Sequence, residues 1–332
     1  MKILVTGGGG FIGLAIVKEL CRLGKDVRVL GRNRYPAAEE AGAVCVQGDI
    51  RDAAVVSQAA AGCGTVFHVA AKAGIWGPLK EYYSINVLGS RNVLAACKEQ
   101  GVPSLVYTST PSVVFDGQDL EGVDESVPYS SQPLCHYAAS KIQAEQEVLR
   151  ANSDTLRTAA IRPHLVWGPG DTNLIPRLLA RGREQSLRII GNGKNRVDIA
   201  YVDNVVHAHL LAEKNLATTA TAAGQAFFIG QKEPVELWTW INDFFARLEV
   251  PPVTAKMSLN KAKAAGWFLE KFYTFLGLNQ EPKMTRFLAE QLAQSHWFSK
   301  KQAVKTLGYQ EQVSTEQGMK QLVNWLEKEQ KA

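Results

Sequence analysis

The stretch MKILVTGGGGFIG, residues 1–13, decides how the rest of this chain is read. Met1 to Thr6 make a short apolar strand that runs directly into glycines, and Gly7, Gly10 and Gly13 stand in a G-x-x-G-x-x-G spacing. That spacing lets the backbone turn tightly, approach a pyrophosphate closely and pack the next helix against the strand. An amphipathic helix (Ile12, Ile16, Val17, Leu20, Leu23) follows from about Phe11. Its free N–H groups and dipole then face the phosphates. Gly7, Gly10, Phe11, Ile12 and Gly13 are the expected dinucleotide contacts.

At 332 residues and 46% hydrophobic, the chain can bury a large core, with room for one large domain and a smaller one. Its net charge of +5 is spread among acids and never forms a run, which argues against nucleic acid and fits a mildly basic cleft. The five cysteines are odd in number, widely spaced and without a C-x-x-C pair. Neither a disulfide framework nor a metal site is expected, and the compartment is expected to be reducing. Residues 1–6 enter a strand with no signal-like apolar core, so a cytoplasmic location is the expectation.

Further strands read at Asp26 to Leu30, Ala43 to Gln47, Thr65 to Val69, Ser104 to Ser109 and Leu156 to Ile161, with helical stretches between them, notably Leu79 to Gln100 and Cys135 to Ala151. This alternation predicts an α/β fold with a Rossmann-type, doubly wound parallel sheet, and a ligand site beyond the carboxyl ends of its strands. After the second strand an acidic residue would bind a ribose hydroxyl, whereas arginine accommodates a 2′-phosphate. Here Arg32 and Arg34 occur without a carboxylate, which favours NADP(H) over NAD(H). Asp49 and Ile50 close the third strand, where an acid meets the adenine amino group. The small residues Ala70 and Ala71 suit close backbone approach after the fourth. Lys72 follows them on the side where the sheet opens, and reads either as a solvated loop lysine or as the partner of a substrate carboxylate.

The fifth strand ends in Thr108-Ser109-Thr110, and the next helix opens with Tyr137-Ala138-Ala139-Ser140-Lys141. Tyrosine and lysine at i and i+4 share a helix face. An ammonium beside the phenol is expected to lower its pKa so that it exchanges a proton near neutrality. Thr110 would hold the substrate oxygen beside it.

TGGGGFIG, YTST, YAASK and RPHLVWGPG together resemble the extended short-chain dehydrogenase/reductase superfamily, and most its 3β-hydroxysteroid dehydrogenase branch. The resemblance places the proton-donating tyrosine on Tyr137, its lysine on Lys141 and the catalytic hydroxyl on Thr110. It places Ser109, Pro163 and Val166 at the cofactor, with Ala70, Ala71, Lys72, Tyr137 and Lys141. Lys72, Thr110 and Trp167 would contact substrate. It also implies a cofactor domain over 1–165, its sheet completed by later segments, and a mostly helical substrate-binding region over 166–332.

YVDNVVHAHLLA, NGKNRVD and TRFLAEQLAQSHWFS are similar to the reductases of this branch that act on 2-alkyl-3-oxoalkanoates in bacterial olefin biosynthesis. The implied partner is a small-molecule β-keto acid with long alkyl chains. A homodimer, assembly with other pathway enzymes and peripheral membrane contact all stay open. FDGQDLEGVDE and IGNGKNRVD also resemble sterol-4-carboxylate 3-dehydrogenases, which run the oxidative direction. Sugar-nucleotide epimerases and dehydratases share the fold, but the dehydratases' Asp-Glu pair is replaced here by Pro111-Ser112. A non-enzymatic cofactor-binding regulator typically lacks the Tyr137–Lys141 pair. Ala264 to Leu278 is the most apolar stretch of the second half and is too short to span a membrane. It reads as core, as the wall of an acyl channel or as an interfacial contact.

Overall fold

The computed structural model describes residues 2–278 and 280–329. Strands β1 (Lys2–Thr6), β2 (Asp26–Gly31), β3 (Val44–Gln47), β4 (Cys63–His68), β5 (Ser104–Thr108) and β7 (Arg157–Pro163) join the strand Gln225–Ile229 in one seven-stranded sheet. Strand β6 (Leu120–Val123) lies outside it, in a four-stranded sheet with His296–Phe298, Arg196–Val197 and Val235–Glu236. The large sheet runs Gln225–Ile229, β7, β5, β4, β1, β2, β3, and every pairing in it is parallel. Chain order reverses between β1 and β4, which opens a crevice at their carboxyl ends. This is the doubly wound Rossmann-type fold that the strand–helix alternation predicts.

Side chains along a strand alternate between faces, so β1 sends Ile3 and Val5 one way and Leu4 the other. Ile3 and Val5 pack with Ile16, Val17 and Leu20 of α1 (Phe11–Arg22) and, further along the same layer, Val206 and Ala212. Leu4 packs in the opposite layer, with Val56, Val93, Cys97, Ala144 and Val148. Short α2 (Pro36–Glu40) follows β2. Val56 lies on α3 (Ala53–Ala60), Val93 and Cys97 on α5 (Gly89–Glu99), and Ala144 and Val148 on α6 (His136–Arg150). Between α3 and α5, the stretch expected to be one helix from Leu79 to Gln100 is broken. It comprises α4 (Leu79–Tyr82), a π-turn over Tyr83–Leu88, and then α5. The wider turn accompanies two buried anchors. The Tyr82 hydroxyl donates to the carbonyls of Gly74 and Trp76, and the Asn86 amide bridges Lys72 and Ser140.

The second half builds its own core. Strand β8 (Val166–Trp167) leads to α7 (Leu174–Arg183), and α8 (Val202–Ala217) returns to the large sheet before Gln225–Ile229 completes its edge. Helices α9 (Leu237–Ala246), α10 (Leu259–Phe275) and α11 (Arg286–Ala293) follow. Ile175, Leu179, Trp240, Ile241, Phe244 and Phe245 surround Trp167, which is fully buried and meets Tyr201 and Trp240 edge-on. Trp167 is therefore a core residue and not the substrate contact expected of it. Val166 and Trp167 point to opposite sides of β8, so Val166 reaches the cleft and its neighbour the core.

Candidate active site

The crevice between β1 and β4 widens into a cavity of about 830 Å³. Its floor is the glycine turn. Gly7 has φ +71°, and its carbonyl accepts from the Gly10 N–H at 3.0 Å. A Cβ on Gly7 would stand 2.8 Å from the Ala70 backbone, and one on Gly13 would collide with the Gly7 carbonyl. Only glycine fits at either place. Helix α1 opens at Gly10 without a side-chain cap and without an acid in its first turn. Its first N–H groups thus remain available to an anion. The backbone walls and uncapped helix suit a dinucleotide pyrophosphate.

At the far end of the cavity stand Arg32, Asp49, Ile50 and Arg51. Arg51 grips Asp49 with Nε and Nη2 at 3.0 and 2.6 Å, and this hydrogen-bonded guanidinium holds the carboxyl below its usual range. Asp49 therefore reaches the cleft already paired. Arg32 has no carboxylate within ion-pair distance among the described residues. Arg34 departs from the expectation. It pairs with Glu39 on α2 at 2.9 Å, is largely exposed and does not line the cavity. A carboxylate five residues on captures the guanidinium before it can reach the cleft.

Between these ends, Ala70, Ala71 and Lys72 from the loop after β4 face Ser109, Thr110, Tyr137, Lys141, Pro163 and Val166. Lys72 is held twice: its N–H donates to Asn86 Oδ1 at 2.7 Å, and its ammonium pairs with the more exposed Glu81 at 2.6 Å. Thr110 caps the short turn Pro111–Val113 by accepting from the Ser112 N–H at 3.2 Å. The Ser109 hydroxyl is buried and has no partner among the described residues, leaving a donor and an acceptor for something bound in the cleft.

Lys141 is almost wholly buried. Its ammonium donates to the Thr108 carbonyl at 2.7 Å and lies 4.1 Å over the Tyr107 ring. Burial pushes its pKa down to about 7, with Glu145 pulling the other way. Burial pushes the Tyr137 hydroxyl up to about 12, partly offset by a hydrogen bond with Thr110. The expectation that the lysine lowers the tyrosine is thus reversed. Desolvation dominates the phenol, while the ammonium is directed at the Thr108 carbonyl and the Tyr107 ring. Tyr137 keeps its proton throughout the neutral range. Behind it, Glu145 is buried against Arg162 and accepts from the Tyr129 hydroxyl at 2.7 Å.

A model of the 3-beta hydroxysteroid dehydrogenase/isomerase family matches residues 4–259. The chain belongs to this family. It is 44% identical to a 2-alkyl-3-oxoalkanoate reductase of Stenotrophomonas maltophilia, over 97% of this chain and 98% of that protein. It is 45% identical to a 2-alkyl-3-oxoalkanoate reductase of Shewanella oneidensis, over 96% and 84%. The human sterol-4-alpha-carboxylate 3-dehydrogenase (decarboxylating) is 32% identical over 97% and 87%. Among solved structures, gox2253 superposes with a TM-score of 0.80 at 26% identity, over 98% of each chain. This member of the 3-beta hydroxysteroid dehydrogenase/isomerase family is an oxidoreductase with an NAD(P)-type Rossmann cleft.

Several residues of this family member's cleft carry no signal in sequence spacing. Tyr35 lies across the turn, where a Cβ on Gly9 or Gly31 would meet its ring. Asn86, buried behind the lining, ties the Lys72 loop to Ser140, the residue before Lys141. His164 lines the cavity and shares a 2.6 Å hydrogen bond with His296, whose other nitrogen meets the Gln291 carbonyl at 2.9 Å. That carbonyl only accepts, so the neutral tautomers are set: His296 Nε2 and His164 Nε2 carry the protons, and His164 Nδ1 keeps a lone pair. His68, by contrast, is structural, held between Thr6 at 2.7 Å and Ser90 at 2.9 Å. No group of metal-ligating side chains occurs among the described residues.

Proposed function

We propose that this enzyme uses NADPH to reduce the ketone of a 2-alkyl-3-oxoalkanoate to the 3-hydroxy acid, a step of long-chain olefin biosynthesis. The observation that carries the reading is the meeting of Tyr137, Thr110 and Lys141 in the wall of a dinucleotide cleft whose other end presents Arg32. The names of the 44–45% identical relatives support the substrate class.

Gly7, Gly10, Phe11, Ile12 and Gly13 would hold the pyrophosphate, and Arg32 the 2′-phosphate. Pro163, Val166, Ser109 and the Ala70–Ala71 backbone would line the nicotinamide half. When bound, the reduced nicotinamide supplies a hydride. Tyr137 donates its proton to the ketone oxygen, Thr110 orients that oxygen, and Lys141 holds the ribose. Lys72 is our candidate for the substrate carboxylate, which must displace Glu81 from the ammonium.

The test is to mix purified protein with NADPH or NADH and a panel of 3-oxo acids, and to follow absorbance. Reduction of 2-alkyl-3-oxo acids with NADPH preferred is expected. Turnover only in the oxidative direction on 3β-hydroxysteroid carboxylates would overturn the reading in favour of the human relative's chemistry. Arg32→Ala should cost about ten- to a hundredfold in NADPH affinity, the scale of a charge-assisted bond of ~1.5–3 kcal/mol, and leave NADH unaffected. Equal kcat/KM for the two cofactors in the unaltered protein would overturn the NADPH assignment.

A further inference from the structure

Helix α10 gives only one side to the protein. Ala262 and Gly266 are its buried residues, and a Cβ on Gly266 would lie 2.6 Å from the Thr285 carbonyl carbon. The helix thus rests almost backbone to backbone on the start of α11. Glu270 fixes the same contact, accepting from the Arg286 N–H at 2.7 Å and its Nε at 2.8 Å. On the other side Trp267, Phe268, Phe272 and Phe275 are 51%, 63%, 46% and 87% exposed, and the surface continues into exposed Leu276 and Leu278. The Phe268 and Phe272 rings stack with centroids 6.3 Å apart. Scattered apolar exposure is ordinary, whereas a contiguous aromatic face marks an interaction surface.

The charge around this face is predominantly positive. Between residues 256 and 291 the cations Lys256, Lys261, Lys263, Lys271, Lys283 and Arg286 oppose only Glu270, Glu281 and Glu290. All three carboxylates are spent internally, on Arg286, Arg177 and Lys263 respectively. Lys261, Lys271 and Lys283 have no ion-pair partner among the described residues. Lys271 stands three residues after Phe268 and four before Phe275, on the exposed aromatic side. Lysine is depleted from protein–protein interfaces but enriched beside the apolar face of helices that lie in a bilayer interface. No described helix is long and apolar enough to cross a membrane, which leaves lying on one. The face also borders the cleft. Trp76, just after the cleft residues Gly74 and Ile75, donates to the Leu278 carbonyl at 3.1 Å and meets Tyr273 edge-on.

We propose that α10 and the turn to Leu278 dock the enzyme on an anionic lipid surface, with the aromatic rings at the headgroup boundary and the lysines on the phosphates. A long-chain substrate then reaches the cleft past the Trp76 loop; this second part rests on the proposed reduction of long-chain 3-oxo acids.

The full chain is co-sedimented with phosphatidylcholine vesicles with and without phosphatidylglycerol. Binding to the anionic vesicles, weakened by salt, is expected. Lys271→Gln should lower the partition constant about fivefold, and Phe268→Ser with Phe275→Ser at least about tenfold. Unchanged melting temperature and unchanged turnover on a short, water-soluble 3-oxo acid would show that these variants stay folded. Absence of vesicle binding, or equal binding to neutral and anionic vesicles, overturns the proposal. So does a dimer by light scattering that the phenylalanine variants dissociate, because the face would then cover a second copy. If the unaltered protein binds vesicles but reduces no short 3-oxo acid, the reductase reading fails while the lipid surface stands.

Discussion

Tyr137 and Lys141 share a helix face, yet the buried site separates their roles in a way that the i, i+4 spacing alone does not convey. In the proposed reaction the tyrosine, pushed up to about 12, holds the proton to be donated, while the lysine, pushed down to about 7, titrates in the working range. For reduction, kcat/KM should therefore fall above about pH 7 as the Lys141 ammonium is lost. The residual activity of Lys141→Met should lack that limb, which a pH profile of both proteins checks. Tyr137→Phe should keep cofactor binding, read by fluorescence, and lose about 10²–10⁴ in turnover. At this scale the cleft positions of Gly7, Gly10, Gly13, Thr110, Tyr137 and Lys141 were legible because motif spacing is set by the backbone. Trp167 and Arg34 were not, since their placement depends on what lies opposite them. Strand alternation turns Trp167 into the second core, and Glu39 captures Arg34.

At the scale of elements, the parallel strands and the main helices follow from apolar periodicity, and the breaks in that pattern do not. The π-turn at Tyr83–Leu88 answers to buried partners far along the chain, such as Ser140, which no local period encodes. Helix α10 is the other case. Its sequence is equally compatible with core and surface, and the tertiary contact at Gly266 decides which side faces out. Gly266→Ala places a methyl group against the Thr285–Arg286 backbone, where no flexible side chain can give way. The expected cost is ~1–3 kcal/mol, typical of overpacking, read as a lower denaturant midpoint. Ala262, one turn earlier on the buried side, is already an alanine, so Ala262→Gly serves as the comparison and should cost about 1–2 kcal/mol through helix propensity and the lost buried methyl. Equal stability of Gly266→Ala and the unaltered protein would mean that α10 is not seated on α11 as described.

For the molecule as a whole, four of the six histidines are buried and hydrogen-bonded in ways that a neutral ring satisfies. His68 lies between Thr6 and Ser90, His209 between Thr108 and the Val205 carbonyl, and His164 and His296 in the chain that ends at Gln291. Burial holds His68 down to about 3, and His209 and His296 to about 4, with His164 also well below its ordinary value. An unfolded histidine takes up its proton near pH ~6.5. Below that pH the unfolded chain binds protons that the folded chain refuses, so stability falls as pH falls, by about 1.4 kcal/mol per unit for each such ring. The carboxyls of buried Asp171 and Asp198, half-buried Glu125 and exposed Asp203 are raised and act in the opposite sense, over a window that runs from their raised values down to the ordinary carboxylate value near pH ~4. The range just below pH ~6.5, furthest above the ordinary carboxylate value, therefore belongs mainly to the histidines. Thermal melts should show the melting temperature dropping steeply across it. His209→Gln removes one titrating ring while keeping a polar group near Thr108, so its melting temperature should fall less steeply over the same range, whatever its value at pH 7. Parallel slopes for the two proteins would show that His209 is protonated in the folded state, and that the buried rings do not set the acid limit of this fold.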